Sequence, residues 1–276
     1  MNPDILVHAT GFAAWTQSLR AAVELAARLQ SPLTALYVCE PPIAVALPDA
    51  SAVAAALAAY ASDHREAARA RASEFERWAR ERGVAEPAWR VAEGHVADML
   101  GYVGNWHDLL VLGRSETQMW QGAGTVGQLV VDCALPCLVV PESETAKPLR
   151  LERAGIGWNG SIEATRAVQS ALPLLQLADS VTILDGRHAR AGRRVVDVPE
   201  LDLQAHLARH GIEATVRSLE TSDSEAGAAL LDECASLELD WLVMGAYGRT
   251  RLREWILGGA TRELLADATV PVFMRH

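Results

Sequence analysis

Apolar and polar positions along the chain follow two alternating rhythms. Short, nearly continuous apolar runs predict strands, and stretches with an apolar residue every third or fourth position predict helices. In the first half the strand-like runs fall near 4–10, 33–39, 87–92, 108–112 and 137–141, and the helical stretches near 15–30, 50–82, 95–105 and 122–133. In the second half strands are expected near 153–159, 181–185, 212–219, 240–245 and 270–275. Its helices are expected near 161–178, 200–210, 224–238 and 258–268. Leu19, Val23, Ala26 and Leu29 mark one apolar helix face, and Ala167, Val168, Ala171 and Leu175 another. Strands alternating with helices form βαβ units, and such crossovers build a parallel sheet covered on both faces.

The pattern is written twice. Asp108-Leu109-Leu110-Val111-Leu112-Gly113 is matched by Asp240-Trp241-Leu242-Val243-Met244-Gly245. Ala134-Leu135-Pro136-Cys137-Leu138-Val139-Val140 is matched by Ala268-Thr269-Val270-Pro271-Val272-Phe273-Met274, and Ile5 to Gly11 answers Ala154 to Gly160. Internal repetition of this kind organises the chain. The polar stretch between Pro141 and Pro148 reads as the linker. The expected architecture is α/β: two tandem, doubly wound, five-stranded parallel-sheet domains, residues 1–142 and 150–276.

Residues Met244 to Thr261 carry the candidate chemistry. The apolar run Trp241 to Met244 ends at Gly245; Gly248 follows two residues later, and Gly258-Gly259 after nine more, just before a helical stretch. Glycine permits close approach of the backbone to a ligand. A glycine pair opening a helix presents unpaired N–H groups and the positive end of the dipole, a setting suited to phosphate. The same glycines also serve tight strand-to-helix turns, and spacing alone leaves both readings open. Arg249, Arg251 and Arg253 lie inside the loop, where they are either solvated or meet phosphate oxygens.

Composition narrows the class. Half the residues are apolar and 22% charged, which supports a substantial core. A formal net charge of −10 argues against a general nucleic-acid binder. No apolar stretch reaches bilayer length, and no basic region precedes the first apolar run, so neither membrane nor secretion is expected. Cys39, Cys133, Cys137 and Cys234 lack paired C-x-x-C spacing and read as reduced core thiols of a cytoplasmic protein.

At this point a family resemblance becomes specific. Gly245, Gly248, Gly258 and Gly259 resemble the universal stress protein signature of Gly, two residues, Gly, nine residues, then Gly followed by Gly, Ser or Thr. Trp158-Asn159-Gly160-Ser161 and Val270 to Met274 are similar to the family's first and last strands. The resemblance spans the chain as a tandem pair and implies cytoplasmic stress-response proteins, some of which bind ATP. It further implies an adenine nucleotide, ATP or AMP (with Mg2+ for a triphosphate), held by Asn159, Met244, Gly245, Gly248, Gly258, Gly259 and Ala260. Two departures stand out. The position often held by a hydroxyl residue is Gly259, and the family's first-strand aspartate is here Asn159.

The first half departs further. Gly113-Arg114-Ser115-Glu116 sets a carboxylate where a second glycine belongs, and a carboxylate repels phosphate. Asp108 to Pro136 spans 28 positions against 31 from Asp240 to Pro271, so its loop is shortened before Gly124-Thr125. That half is expected to be degenerate, with Met119, Trp120 and Val126 filling space.

Other signals are set aside. Gly155-Ile156-Gly157-Trp158-Asn159-Gly160 is nominally a dinucleotide fingerprint with Asp185 downstream, the mark of an oxidoreductase. The preceding Leu149 to Arg153 is too charged for a central strand, so the glycines are placed within the strand. The eight histidines are scattered with no H-E-x-x-H, so no metal ligand is assigned. His95 and His107 are expected as caps or surface residues, and no G-x-S-x-G elbow is present. No catalysis is expected beyond, at most, slow hydrolysis of a bound nucleotide. A nucleotide-binding stress module and an interaction protein with remnant glycine loops remain as alternatives.

One architectural expectation follows from the resemblance. The last strand of each half, Cys137 to Pro141 and Val272 to His276, is a short apolar edge that must be paired or covered. A linker of about eight residues reaches ~26 Å, so the two can pair antiparallel within one chain as an intramolecular pseudo-dimer. A further homodimer of the whole chain is left open.

Overall fold

The structure, a computed structural model, describes residues 2–40, 50–115, 122–143, 148–186, 202–222, 225–246 and 259–276. The first repeat runs β1 (Ile5–Ala9), α1 (Gln17–Leu29), β2 (Leu33–Cys39), α2 (Ala50–Ala70), α3 (Ala72–Arg80), β3 (Pro87–Glu93), α4 (Val96–Gly104), β4 (Leu109–Arg114), α5 (Ala123–Asp132) and β5 (Cys137–Pro141). The second runs β6 (Arg153–Trp158), α6 (Ile162–Leu175), β7 (Ser180–Asp185), α7 (Leu203–Arg209), β8 (Ala214–Ser218), α8 (Ala226–Ser236), β9 (Trp241–Gly245), α9 (Gly259–Asp267) and β10 (Val272–Arg275). Each repeat is a five-stranded doubly wound α/β domain. The expected helix 50–82 is two helices that meet at Arg71, whose guanidinium stands 4.8 Å from the Trp15 ring.

By packing, the chain forms two compact units, Met1–Val111 and Leu112–His276. In the first, the strands run β3-β2-β1-β4 and are parallel, with Ile5 beside Leu33 on one side and Leu109 on the other. Trp15, Phe75, Trp78 and Trp89 form an aromatic cluster with ring centroids 5.3–5.9 Å apart, extended by Tyr37 stacked on Trp89. Such pairs add to simple area burial. The indole N–H of Trp89 donates to the Ala68 carbonyl, tying β3 to α2.

In the second unit the order is β5-β10-β9-β6-β7-β8. Strands β6 to β10 are parallel, and β5 pairs antiparallel with β10: Val272 faces Val139, Phe273 faces Leu138 and Met274 faces Cys137. The two terminal strands therefore cover each other's edges as expected. This pairing, with α5 against α9, draws residues 112–143 into the second unit although they belong to the first repeat in sequence.

One device recurs in both repeats. The N–H of Asp4 donates to Asp108 Oδ2 while the N–H of Asp108 donates to the Asp4 carbonyl. Arg153 and Asp240 exchange the same two bonds, 2.9 and 2.8 Å. The repeated aspartates thus fix where the inner strands begin.

Candidate functional site

The site is built where β6 and β9 end side by side. Gly157 pairs with Met244, so Asn159 and Gly245 lie just past the last paired residues of adjacent strands. Beyond β6 the chain turns sharply: Gly160 takes φ 70°, a left-handed conformation natural to glycine. Asn159 Oδ1 accepts from the Ser161 N–H at 3.0 Å, and Ser161 Oγ accepts from the Ala164 N–H at 3.1 Å as the N-cap of α6. The asparagine thus has a structural task in shaping the turn.

Gly245 faces the first turn of α6. A β-carbon there would lie 2.5 Å from the Ala164 nitrogen and 2.6 Å from the Glu163 carbonyl carbon. Helix backbone occupies that space, so packing accounts for this glycine. Met244 is buried, and the N–H of Ala246 donates to Arg275 O at 2.9 Å. Gly248 and Gly258, with Arg249, Arg251 and Arg253, lie outside the described residues.

Gly259 and Ala260 are the first described residues of α9, and their N–H groups have no intrahelical partner among the described residues. A β-carbon on Gly259 would meet nothing within 4 Å among the described residues. The helix start is held from the side by α8, where a β-carbon on Gly227 would lie 3.0 Å from Ala260 Cα. The described residues therefore fall into two groups, Asn159 with Met244 and Gly245 at the strand ends, and Gly259 with Ala260 at the start of α9.

Two residues beside the strand ends, Glu163 and Trp158, escaped the sequence reading as site residues. Glu163 is 6% exposed in the first turn of α6, beside Gly245. Asp185, 4% exposed, ends β7 in register with Trp158, which puts a buried carboxylate on the strand next to the Asn159 turn. Trp158 is itself buried, and its indole N–H has no hydrogen-bond partner among the described residues. Their signal was weak: each sits at an element boundary, where sequence resolves least.

The corresponding corner of the first repeat is different. Arg114 and Ser115 are buried at the end of β4, and the Arg114 guanidinium donates to the carbonyls of Ala266 and Ala268 at the end of α9. Val126 is buried as expected, whereas Glu116, Met119 and Trp120 lie outside the described residues.

Several residues set aside in the sequence have clear places. Gly155 and Gly157 lie inside β6, where added β-carbons would meet Leu239 and Leu242 or Leu230, so the dinucleotide fingerprint is not formed. His107 is half-buried and lies against the end of α4; its Nδ1 lies 2.9 Å from the Val103 carbonyl and its Nε2 3.7 Å from Asp4. His95 precedes α4 with no side-chain cap bond. All four cysteines are free thiols, and burial pushes Cys133 up to about 11 and Cys234 up to about 12, far from reactive thiolates. No group of three or more potential metal ligands occurs among the described residues. No described helix is long and apolar enough to cross a membrane.

A tandem of doubly wound α/β domains whose second member begins its last helix at Gly259 defines the class. The chain belongs to the universal stress protein family: the family's profile matches residues 1–141 and again residues 152–276. A universal stress protein from Archaeoglobus fulgidus DSM 4304 shares the fold with a TM-score of 0.68 and 13% identity, over 100% of this chain and 96% of that one. A functionally unknown protein from Pseudomonas aeruginosa PAO1 gives 0.60 and 15% over 99% and 92%. A putative universal stress protein from Pseudomonas aeruginosa UCBPP-PA14 gives 0.56 and 15% over the same shares. No curated protein matches the chain.

Proposed function

We propose that this protein is a cytoplasmic, non-catalytic stress-response module that binds one adenine nucleotide, ATP or AMP, through its second repeat. The observation that carries the reading is the start of α9: Gly259 and Ala260 offer first-turn N–H groups in space that no described residue fills, at the end of the glycine spacing from Gly245. Gly248 and Gly258 complete the phosphate cradle. Asn159 and Asp185 serve the ribose or base, Asp185 supplying the charge that Asn159 lacks. The indole N–H of Trp158 is a buried donor with no partner among the described residues, and a polar ligand at the end of β6 would satisfy it. Mg2+ enters with a triphosphate, held by phosphates and water rather than a protein cage.

The test is to purify the full chain, denature it and analyse the extract for a nucleotide, then titrate stripped protein with ATP and AMP calorimetrically. One saturable site per chain, lost in Gly248→Val, is expected. Two equivalent sites, or none, overturns the reading. The second reading, an interaction protein, draws on α4 and its exit: Tyr102 is 72% exposed and Trp106 81%, four positions apart. It predicts no nucleotide binding at all.

A further inference from the structure

His206 and His210 stand at H-x-x-x-H spacing, which corrects the reading of the histidines as scattered with no such pair, and side chains at i and i+4 share one helix face. The structure bears this out: their ring centroids are 4.9 Å apart on α7 and its C-cap. Metal–nitrogen bonds of about 2.0–2.1 Å put each imidazole centroid about 3.2 Å from a shared ion. Two rings subtending roughly 90–110° at that ion are then about 4.5–5.3 Å apart. The observed separation falls inside this range before any ion arrives.

The backbone beneath the pair is pinned. Leu203 and Leu207, which flank the histidines round α7, are buried and anchor the helix, and Asp202 caps its start, Oδ1 accepting from the Ala205 N–H at 2.8 Å. At the other end Gln176 Nε2 donates to the His210 carbonyl at 3.1 Å, and Gln204 Nε2 donates to the Ala214 carbonyl at 2.6 Å. A chelate on this scaffold loses little conformational freedom on binding. His206 Nε2 is buried with no hydrogen-bond partner among the described residues, so a donor atom is already withdrawn from water and unused.

We propose that His206 and His210 form a bidentate site for a divalent transition-metal ion of imidazole preference, with water completing the coordination. Nitrogen-only donors favour Cu2+, Ni2+ and Zn2+ over Mg2+ or Ca2+. The Arg209 charge next to the pair opposes the cation and keeps affinity moderate. Bound metal ties the C-cap to the helix, so the loaded chain unfolds later than the free one.

Calorimetric titration of chelator-treated full chain with Ni2+, and separately with Zn2+, tests this. One equivalent is expected, with a matching rise in melting temperature. His206→Gln and His210→Gln should each weaken binding by about tenfold or more, the loss of the second arm of a chelate. His95→Gln, at an exposed position on another helix start, should leave it unchanged. His210 is exposed, so its variant keeps the fold, checked by circular dichroism. Binding retained in both single variants, or no Ni2+ binding by wild type at millimolar ion, overturns the proposal, and Mg2+ matching Ni2+ does so too.

Discussion

Gly245 and Ala164 approach so closely that a β-carbon on the glycine would lie 2.5 Å from the alanine backbone nitrogen. The end of β9 thereby sets the position of the first turn of α6, including the Ser161 cap. Gly245→Ala must push α6 away or bend β9, because the obstructing atoms are backbone. Overpacking of this kind costs about 1–3 kcal/mol. Thermal unfolding should show a fall of several degrees, and a Gly245→Ala protein that melts with wild type contradicts this reading of the contact.

Arg114 and α9 predict a second outcome. The guanidinium donates to two carbonyls, Ala266 and Ala268, at the negative end of the helix that opens at Gly259, and Arg114 is only 8% exposed. Hydrogen bonds to charged groups are each worth about 1.5–3 kcal/mol, and unpaired buried carbonyls carry their own cost. Arg114→Met should therefore destabilise the full chain by at least about 2 kcal/mol in urea unfolding. Amide exchange in α9 should accelerate more than in α1, and uniform acceleration contradicts a local clamp.

Much of this fold was legible because its signals are local. Strands β2 and β5 run as expected, Leu33–Cys39 and Cys137–Pro141, each bounded at its start by a proline, Pro32 or Pro136. The repeated Asp108 and Asp240 stood out as sequence and proved to be paired strand anchors. What was not legible comes from contacts across long sequence separation. No local signal divides 50–82, and the break at Arg71 coincides with its seat over Trp15. Gly245 read as a ligand-facing glycine, yet its nearest neighbour is α6, some 80 positions earlier. Nothing near Arg114 pointed to carbonyls 152 and 154 residues away.

His8 predicts acid sensitivity. It lies on β1 between buried Val7 and Ala9, and burial holds its imidazole down to about 4 from the usual 6.5. Between those values the unfolded chain binds a proton that the folded chain refuses, so stability is full above about 6.5 and falls as pH drops towards 4. The span corresponds to about 2–3 kcal/mol, reduced from the full shift because His8 is partly open to solvent. Unfolding at pH 7 and at pH 4.5 should show a smaller acid loss in His8→Leu than in wild type. Equal losses exclude His8 as the titrating group.

Gly259→Ser tests the cradle itself. The position starts α9, and a β-carbon there meets nothing within 4 Å among the described residues, so no described atom obstructs serine. Serine also suits a helix start better than a helix interior, so the fold is not expected to weaken. Its hydroxyl adds one donor beside the first-turn N–H groups at the end of the dipole where phosphate is stabilised. If the triphosphate is seated there, ATP should bind more tightly by up to about 1.5–3 kcal/mol, the worth of a hydrogen bond to a charged group, or roughly tenfold to a hundredfold. Adenosine, without phosphate, should bind the variant and wild type alike, which separates a phosphate contact from a general tightening of the fold. ATP affinity equal in the two proteins, measured by calorimetry alongside adenosine, places the phosphates away from the α9 start and leaves Gly259 as a turn residue.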